Sequence, residues 1–158
     1  MNFAFNQKLV ISILTVLFIF AINFIIMFVY PSRPDEWYKK LKKAPIDPPS
    51  YVFGIVWSIL YILIAISYII AFNLLDYNYW IIPIIHLLLN FSYSPVFFYY
   101  KQLYGAAILT LLILIFALIT MYIFSFKSKI SVYLLIPYIL WLIFANYLAW
   151  TIAIINNK

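Results

Sequence analysis

Apolar residues along this chain come in long unbroken runs, not in the spaced stripes of a water-facing helix or the strict alternation of a half-buried strand. A helix rising about 1.5 Å per residue needs roughly 20 such residues to cross about 30 Å of hydrocarbon. Runs of that order lie at about 9–30, 52–75, 80–100, 103–126 and 131–155. Charges fall between or beyond them: Lys8, the 33–47 cluster, Asp76, Lys101, Lys127, Lys129 and Lys158. The pattern predicts an all-α, integral membrane bundle of five transmembrane helices, a single domain over 1–158, with one long extramembrane loop at 31–50. The later links are very short, so sequential helices should run antiparallel, as in an up-and-down bundle. The first run exceeds the roughly 7–15-residue apolar region of a signal peptide and reads as a retained spanning helix.

The loop at 31–50 has a pattern of its own. Pro34 suits a first helical position, Asp35 and Glu36 suit the positive end of a helix dipole, and Lys39, Lys40, Lys42 and Lys43 suit the negative end, with Pro45 as the stop. This predicts a short helix of about ten residues, too short to stand alone. Its apolar side, Trp37 and Leu41, should dock, either among headgroups as an interfacial anchor or over the bundle as a lid.

Composition sharpens the membrane assignment. The chain is 68% hydrophobic and 9% charged, against about 45–50% and about 25% in soluble domains, and no water-soluble fold of this size hides that much apolar surface. With no cysteine, disulfides, thiolate metal sites and cysteine nucleophiles are excluded. The net charge of +6 points to anionic lipid headgroups, since the lysines flank the apolar runs, and not to nucleic acid. Five crossings place Lys8, Lys127 and Lys129 on one face, outnumbered on the other by Arg33, Lys39, Lys40, Lys42, Lys43, Lys101 and Lys158. Basic residues collect inside, so the first loop and C-terminus are expected in the cytoplasm and the N-terminus outside.

In this topology large aromatics gather beneath the first loop: Tyr51, Phe53, Trp57 and Tyr61 on the second spanning helix, Tyr93, Phe97 and Phe98 on the third, Trp141 and Trp150 on the fifth. Interfacial belts explain part of this, but Trp57 and Trp141 lie a turn or more inside their helices. His86, Asn90 and Ser94 form a polar stripe at i, i+4 and i+8 that should face the bundle interior. The stripe serves interhelical hydrogen bonding or, at Asn90, a ligand; the lone histidine reads as structural. Pro83, Pro95 and Pro137 each remove a backbone donor inside a run and permit a kink. Ala145, Ala149 and Ala153, and Gly54 with Ser58, permit close helix approach. All four carboxylates sit in loops, no motif of hydrolytic or phosphoryl-transfer chemistry is present, and no catalytic residue or required cofactor is expected.

The string Trp37-Tyr38, Leu41, Pro45, Pro48-Pro49, Phe53, Trp57, Leu60-Tyr61, then Asn90, Pro95, Phe97-Phe98, then Pro137-Tyr138, Trp141, Phe144-Ala145 resembles the translocator protein family over about 37–156. Its bacterial members are tryptophan-rich sensory proteins, its animal members the peripheral benzodiazepine receptors. The resemblance implies a five-helix bundle, often a homodimer, in a bacterial cytoplasmic membrane. It further implies binding of porphyrins such as protoporphyrin IX and haem between the helices, in tetrapyrrole transport, sensing or regulation. The ligand-binding residues expected on that basis and from the aromatic cluster are Trp37, Pro48, Pro49, Tyr51, Phe53, Trp57, Tyr61, Asn90, Tyr93, Phe97, Pro137, Tyr138, Trp141 and Ala145. Some bacterial members degrade protoporphyrin in light, and here Trp57 and Trp141 would be the indoles involved; the other alternative is a structural membrane subunit without a ligand. The third helix departs from the family, reading Asn90-Phe91-Ser92-Tyr93-Ser94-Pro95 where many members carry two tryptophans.

Overall fold

A computed structural model describes residues 2–30 and 35–156. Pro34, expected at a first helical position, and Arg33 and Lys158, expected as cytoplasmic charges, lie outside the described residues. The chain forms α1 (Asn2–Val29), a one-turn α2 (Glu36–Lys40), α3 (Ser50–Leu74), α4 (Ile81–Ser94), α5 (Leu103–Ser125) and α6 (Lys129–Asn156). Five spans among the described residues are long and apolar enough to cross a membrane: α1, α3, α5, α6, and α4 taken together with the helical turns that flank it, Tyr77–Tyr99. Their outward faces are correspondingly oily: Phe24 is 74% and Phe28 82% exposed on α1.

The spanning helices close into a ring. Around it the neighbours are α1, α3, α6, α5, α4 and again α1. Consecutive helices are antiparallel as expected, but α3 and α4, though joined by a short link with a 3-10 turn at Tyr77–Tyr79, are not ring neighbours; α1 stands between them. They meet instead across the interior through long side chains, Tyr68 to His86 and Tyr61 to Asn90.

One end of the ring is filled. Tyr68, Phe72, Leu75, Trp80, Phe124 and Leu135 are buried there, with Phe72 stacked on Trp80 at 4.3 Å and Tyr68 edge-on to Phe124 at 5.0 Å. Ala107, Ala149 and Ala153 form a second buried cluster in the α5–α6 seam, so the spacing-four alanines serve internal packing. Gly54 and Ser58 do not; both are exposed, and the Ser58 hydroxyl donates to the carbonyl of Gly54 on its own helix.

The three prolines behave differently from one another. Pro83 sits in the first turn of α4, where a missing N–H costs nothing, so the loss of a helical hydrogen bond expected there is corrected. Pro95 opens a π-helical turn, Pro95–Tyr99: its absent N–H leaves one rung empty and the Tyr100 N–H closes on the Pro95 carbonyl, five residues back. Pro137 lies within α6.

The loop helix is half the expected length. Asp35 caps it by accepting from the Tyr38 N–H at 2.9 Å, and Leu41 leaves the helix in an extended conformation, well ahead of Pro45. Lys43 ends it instead, its ammonium donating to the Tyr38 carbonyl at 2.9 Å and lying 3.0 Å from the centre of the Tyr38 ring.

Candidate ligand-binding site

The end of the ring opposite the packed core is hollow. A cavity of about 380 Å³ lies there, walled by Phe53, Trp57 and Tyr61 of α3, Asn90, Tyr93 and Phe97 at the end of α4, Thr110 and Ile113 of α5, and Trp141, Ala145 and Ala149 of α6. That volume is in the range of small-molecule sites, about 300–1,000 Å³. Each helix supplies its residues from the half nearest the loop at 35–49, so the void follows from side-chain volumes: rings are long at the rim, and alanines and Gly54 recede. A Cβ added to Gly54 would meet nothing within 4 Å.

The rings hold each other in place. Trp57 lies 5.3 Å from Tyr61, Phe53 stands edge-on to Trp141 at 5.7 Å, and Tyr93 stacks on Phe97 at 5.7 Å with 10° between planes. The π turn at Pro95 carries Phe97 and Phe98, and both line the cavity.

The loop covers this end. Tyr38 and Asp47 line the cavity from above, and the rings of Trp37 and Tyr38 meet Phe97 at 5.8 and 6.0 Å. Two clasps fix the cover. Lys101, held at φ 56° just past the π turn, pairs with Asp35 at 2.8 Å and sets its ammonium 5.3 Å from the centre of the Trp37 ring. On the other side the Asn156 amide bonds both backbone groups of Lys42, at 2.8 and 2.9 Å. The short helix is therefore a lid, with its rings docked on the bundle.

Charge at the mouth is mixed. The hydrogen bond from Lys101 holds the Asp35 carboxyl below its ordinary range. Burial raises Asp47, partly offset by Lys43, and lowers Lys43. Burial also raises the Tyr38 phenol. Of the loop lysines, Lys39 is taken up by Glu36 at 2.7 Å on the exposed side.

A profile of the TspO/MBR family matches residues 13–155. The chain belongs to the TspO/MBR family. It is 37% identical over 123 residues to the tryptophan-rich protein TspO of Bacillus cereus, covering 76% of this chain and 80% of that one. The TspO of Archaeoglobus fulgidus is 32% identical over 155 residues, 94% of this chain and 97% of that one. The human translocator protein is 32% identical over 124 residues, 73% of each.

Within this TspO/MBR chain, Phe53, Trp57, Tyr61, Asn90, Tyr93, Phe97, Trp141 and Ala145 come together around the cavity. The other residues named from the sequence lie elsewhere. Trp37 packs behind Phe97, outside the wall. Tyr51 is 68% exposed because it falls on the outer face of the first turn of α3. Pro48 and Pro49 lead into that turn. Pro137 borders a shallow groove between α3 and α6 on the outer surface. Tyr138 is fully buried below the floor. The sequence reading missed Asn23 and Met27 of α1, Tyr38, Asp47, and the α5 residues Thr110 and Ile113. Asn23, a buried amide in an apolar run, is the signal that α1 contributes an inward face.

Proposed function

We propose that this membrane protein binds a flat, hydrophobic tetrapyrrole such as protoporphyrin IX in the cavity beneath the lid, for transport, sensing or control of porphyrin levels. The observation that carries the reading is the wall of aromatic rings, with Trp57 and Trp141 both facing the void. A macrocycle stacks on such rings, and a mostly apolar pocket with few polar groups is the usual form of a small-molecule site. The names of two relatives, tryptophan-rich sensory protein in Cereibacter sphaeroides and translocator protein in Homo sapiens, agree with a sensing or carrying role. The proposed orientation is cytoplasmic for the lid, supported by Lys39, Lys40, Lys42, Lys43 and Lys101 on that side against Lys8, Lys127 and Lys129 on the other.

Titration of the purified protein with protoporphyrin IX is expected to quench tryptophan fluorescence saturably in the micromolar range, and Trp57→Ala or Trp141→Ala to weaken it. Quenching that rises without saturation, or is unchanged in both variants, removes the reading.

A further inference from the structure

The cavity floor is polar where a buried file of side chains reaches it. Tyr61 and Asn90 line the cavity; behind them Tyr138, His86 and Tyr68 are each 0% exposed. The Tyr61 hydroxyl lies 3.2 Å from Asn90 Oδ1, and Asn90 Nδ2 lies 2.7 Å from the Tyr138 hydroxyl. Tyr138 is 2.9 Å from His86 Nε2, His86 Nδ1 is 2.6 Å from the Tyr68 hydroxyl, and that hydroxyl is 3.3 Å from the Pro83 carbonyl. The file thus ties α3, α4 and α6 together across the interior of the ring.

Proton counting fixes its direction. Each hydroxyl brings one proton and a neutral imidazole one, and His86, buried with no carboxylate among its contacts, is neutral because an unpaired buried charge is costly. One arrangement gives every hydroxyl and imidazole proton an acceptor. Tyr61 donates to Asn90 Oδ1, Asn90 to Tyr138, Tyr138 to His86 Nε2, His86 Nδ1–H to Tyr68, and Tyr68 to the Pro83 carbonyl. Turning the imidazole alone would aim two donors at the Tyr138 oxygen and leave its own proton unpaired, a worse fault than an under-used hydroxyl oxygen. The Asn90 amide and the His86 tautomer therefore turn together. The fully reversed file is the other consistent state, and it ends with the Tyr61 proton pointing into the cavity, in need of an acceptor there.

We propose that this file sets the ligand preference of the cavity. At rest it offers the Tyr61 oxygen as an acceptor, so the cavity favours a flat apolar ligand that turns an N–H or O–H donor toward the floor. A ligand presenting an acceptor there binds only by reversing the file, which moves the His86 proton from Nδ1 to Nε2. The proposal rests on the cavity being a ligand site and adds which polar chemistry the site selects.

The chain has a single histidine, so nitrogen NMR of the full protein labelled with ¹⁵N-histidine, in lipid nanodiscs, reads this tautomer without assignment. Two planar three-ring probes differ in the needed way: carbazole has an N–H donor and no acceptor, acridine a ring-nitrogen acceptor and no donor. Binding is followed separately by tryptophan quenching at mildly alkaline pH, where both probes are neutral. His86 is expected as Nδ1–H alone and with carbazole, and as Nε2–H with acridine. Tyr61→Phe keeps the ring in the wall; it should leave the resting tautomer unchanged, abolish the response to acridine, and weaken carbazole roughly fivefold, the loss of one net hydrogen bond. A resting Nε2–H tautomer, saturable binding of both probes with no tautomer difference, or carbazole affinity indifferent to Tyr61→Phe overturns the proposal. If protoporphyrin IX binds but neither probe does, the donor preference falls and the cavity reading stands. If none of the three binds, both fall.

Discussion

At the scale of single residues, Trp141 does two things that can be separated. Its ring closes the α6 wall of the cavity, held by Phe53 at 5.7 Å and Phe144 at 5.6 Å. Its indole N–H is buried and has no acceptor among the described residues. An unpaired buried donor costs about 1–3 kcal/mol, and a ring removed from such a wall costs about 3–5 kcal/mol. Trp141→Phe, which keeps a ring and deletes the donor, is therefore expected to leave the thermal stability of the unliganded protein unchanged or raised. Trp141→Ala should lower it clearly. Thermal melts of both variants in one detergent, followed by circular dichroism, compare them directly; equal destabilisation by Phe and Ala would mean that the N–H is paired after all. The sequence exposed Trp141 as unusual through its depth in the helix, but an unpaired N–H is a property of three neighbouring helices and has no linear signature.

Among the elements, the lid is where local pattern and tertiary contact diverged most. The charge gradient from Asp35 to Lys43 reads as a helix of about ten residues, yet the helix stops at Lys40. Lys43 folds back onto the Tyr38 ring and carbonyl, and Asn156, more than a hundred positions away, takes both backbone groups of Lys42. Local propensity in so short a segment yields to such bonds. The same contacts make the lid sensitive to pH in two separate stages. Asp47 is raised by burial and Asp35 is lowered by its bond from Lys101, so on acidification Asp47 takes its proton first. The ion pair of Asp35 with Lys101 is present above the ordinary carboxylate value of about 3.9 and is lost only as pH falls through the depressed value of Asp35. The charge on Asp47, which is disfavoured by its partial burial, disappears earlier, above that value, and its loss leaves the mouth more positive while the clasp still holds. A ligand bearing carboxylates should accordingly bind more tightly as pH falls through the raised value of Asp47, above the ordinary carboxylate value, after correction for its own titration. In Asp47→Asn that dependence should flatten at the higher affinity. Protoporphyrin titrations of wild type and variant across this window test it, and an unchanged slope in Asp47→Asn would assign the effect to another group.

For the whole molecule, the spanning helices were legible because hydrocarbon thickness dictates their length and every backbone polar group must be satisfied inside the helix. Their order around the ring was not, since short links fix antiparallel direction without fixing who stands beside whom, and α1 enters between α3 and α4. The hollow end of the ring was visible as a gathering of aromatics, whereas the share of α1 and α5 in its wall was hidden by their uniform apolarity. The orientation of the bundle across the membrane follows from a different physical source, the retention of basic loops on the inner side. Lys101 and the lid lysines share one end of the bundle, and Lys127 and Lys129 lie at the turn between α5 and α6 at the other. A chain with no cysteine can be mapped with single introduced thiols on a silent background. Lys40→Cys and Lys127→Cys both fall on exposed positions, away from the cavity wall and from the clasps. A maleimide that cannot cross lipid should label Lys127→Cys in intact spheroplasts and Lys40→Cys only in inverted vesicles. The opposite pattern would turn the bundle over, putting the lid and the mouth of the cavity on the outer face, so that ligand would be taken up from outside the cell.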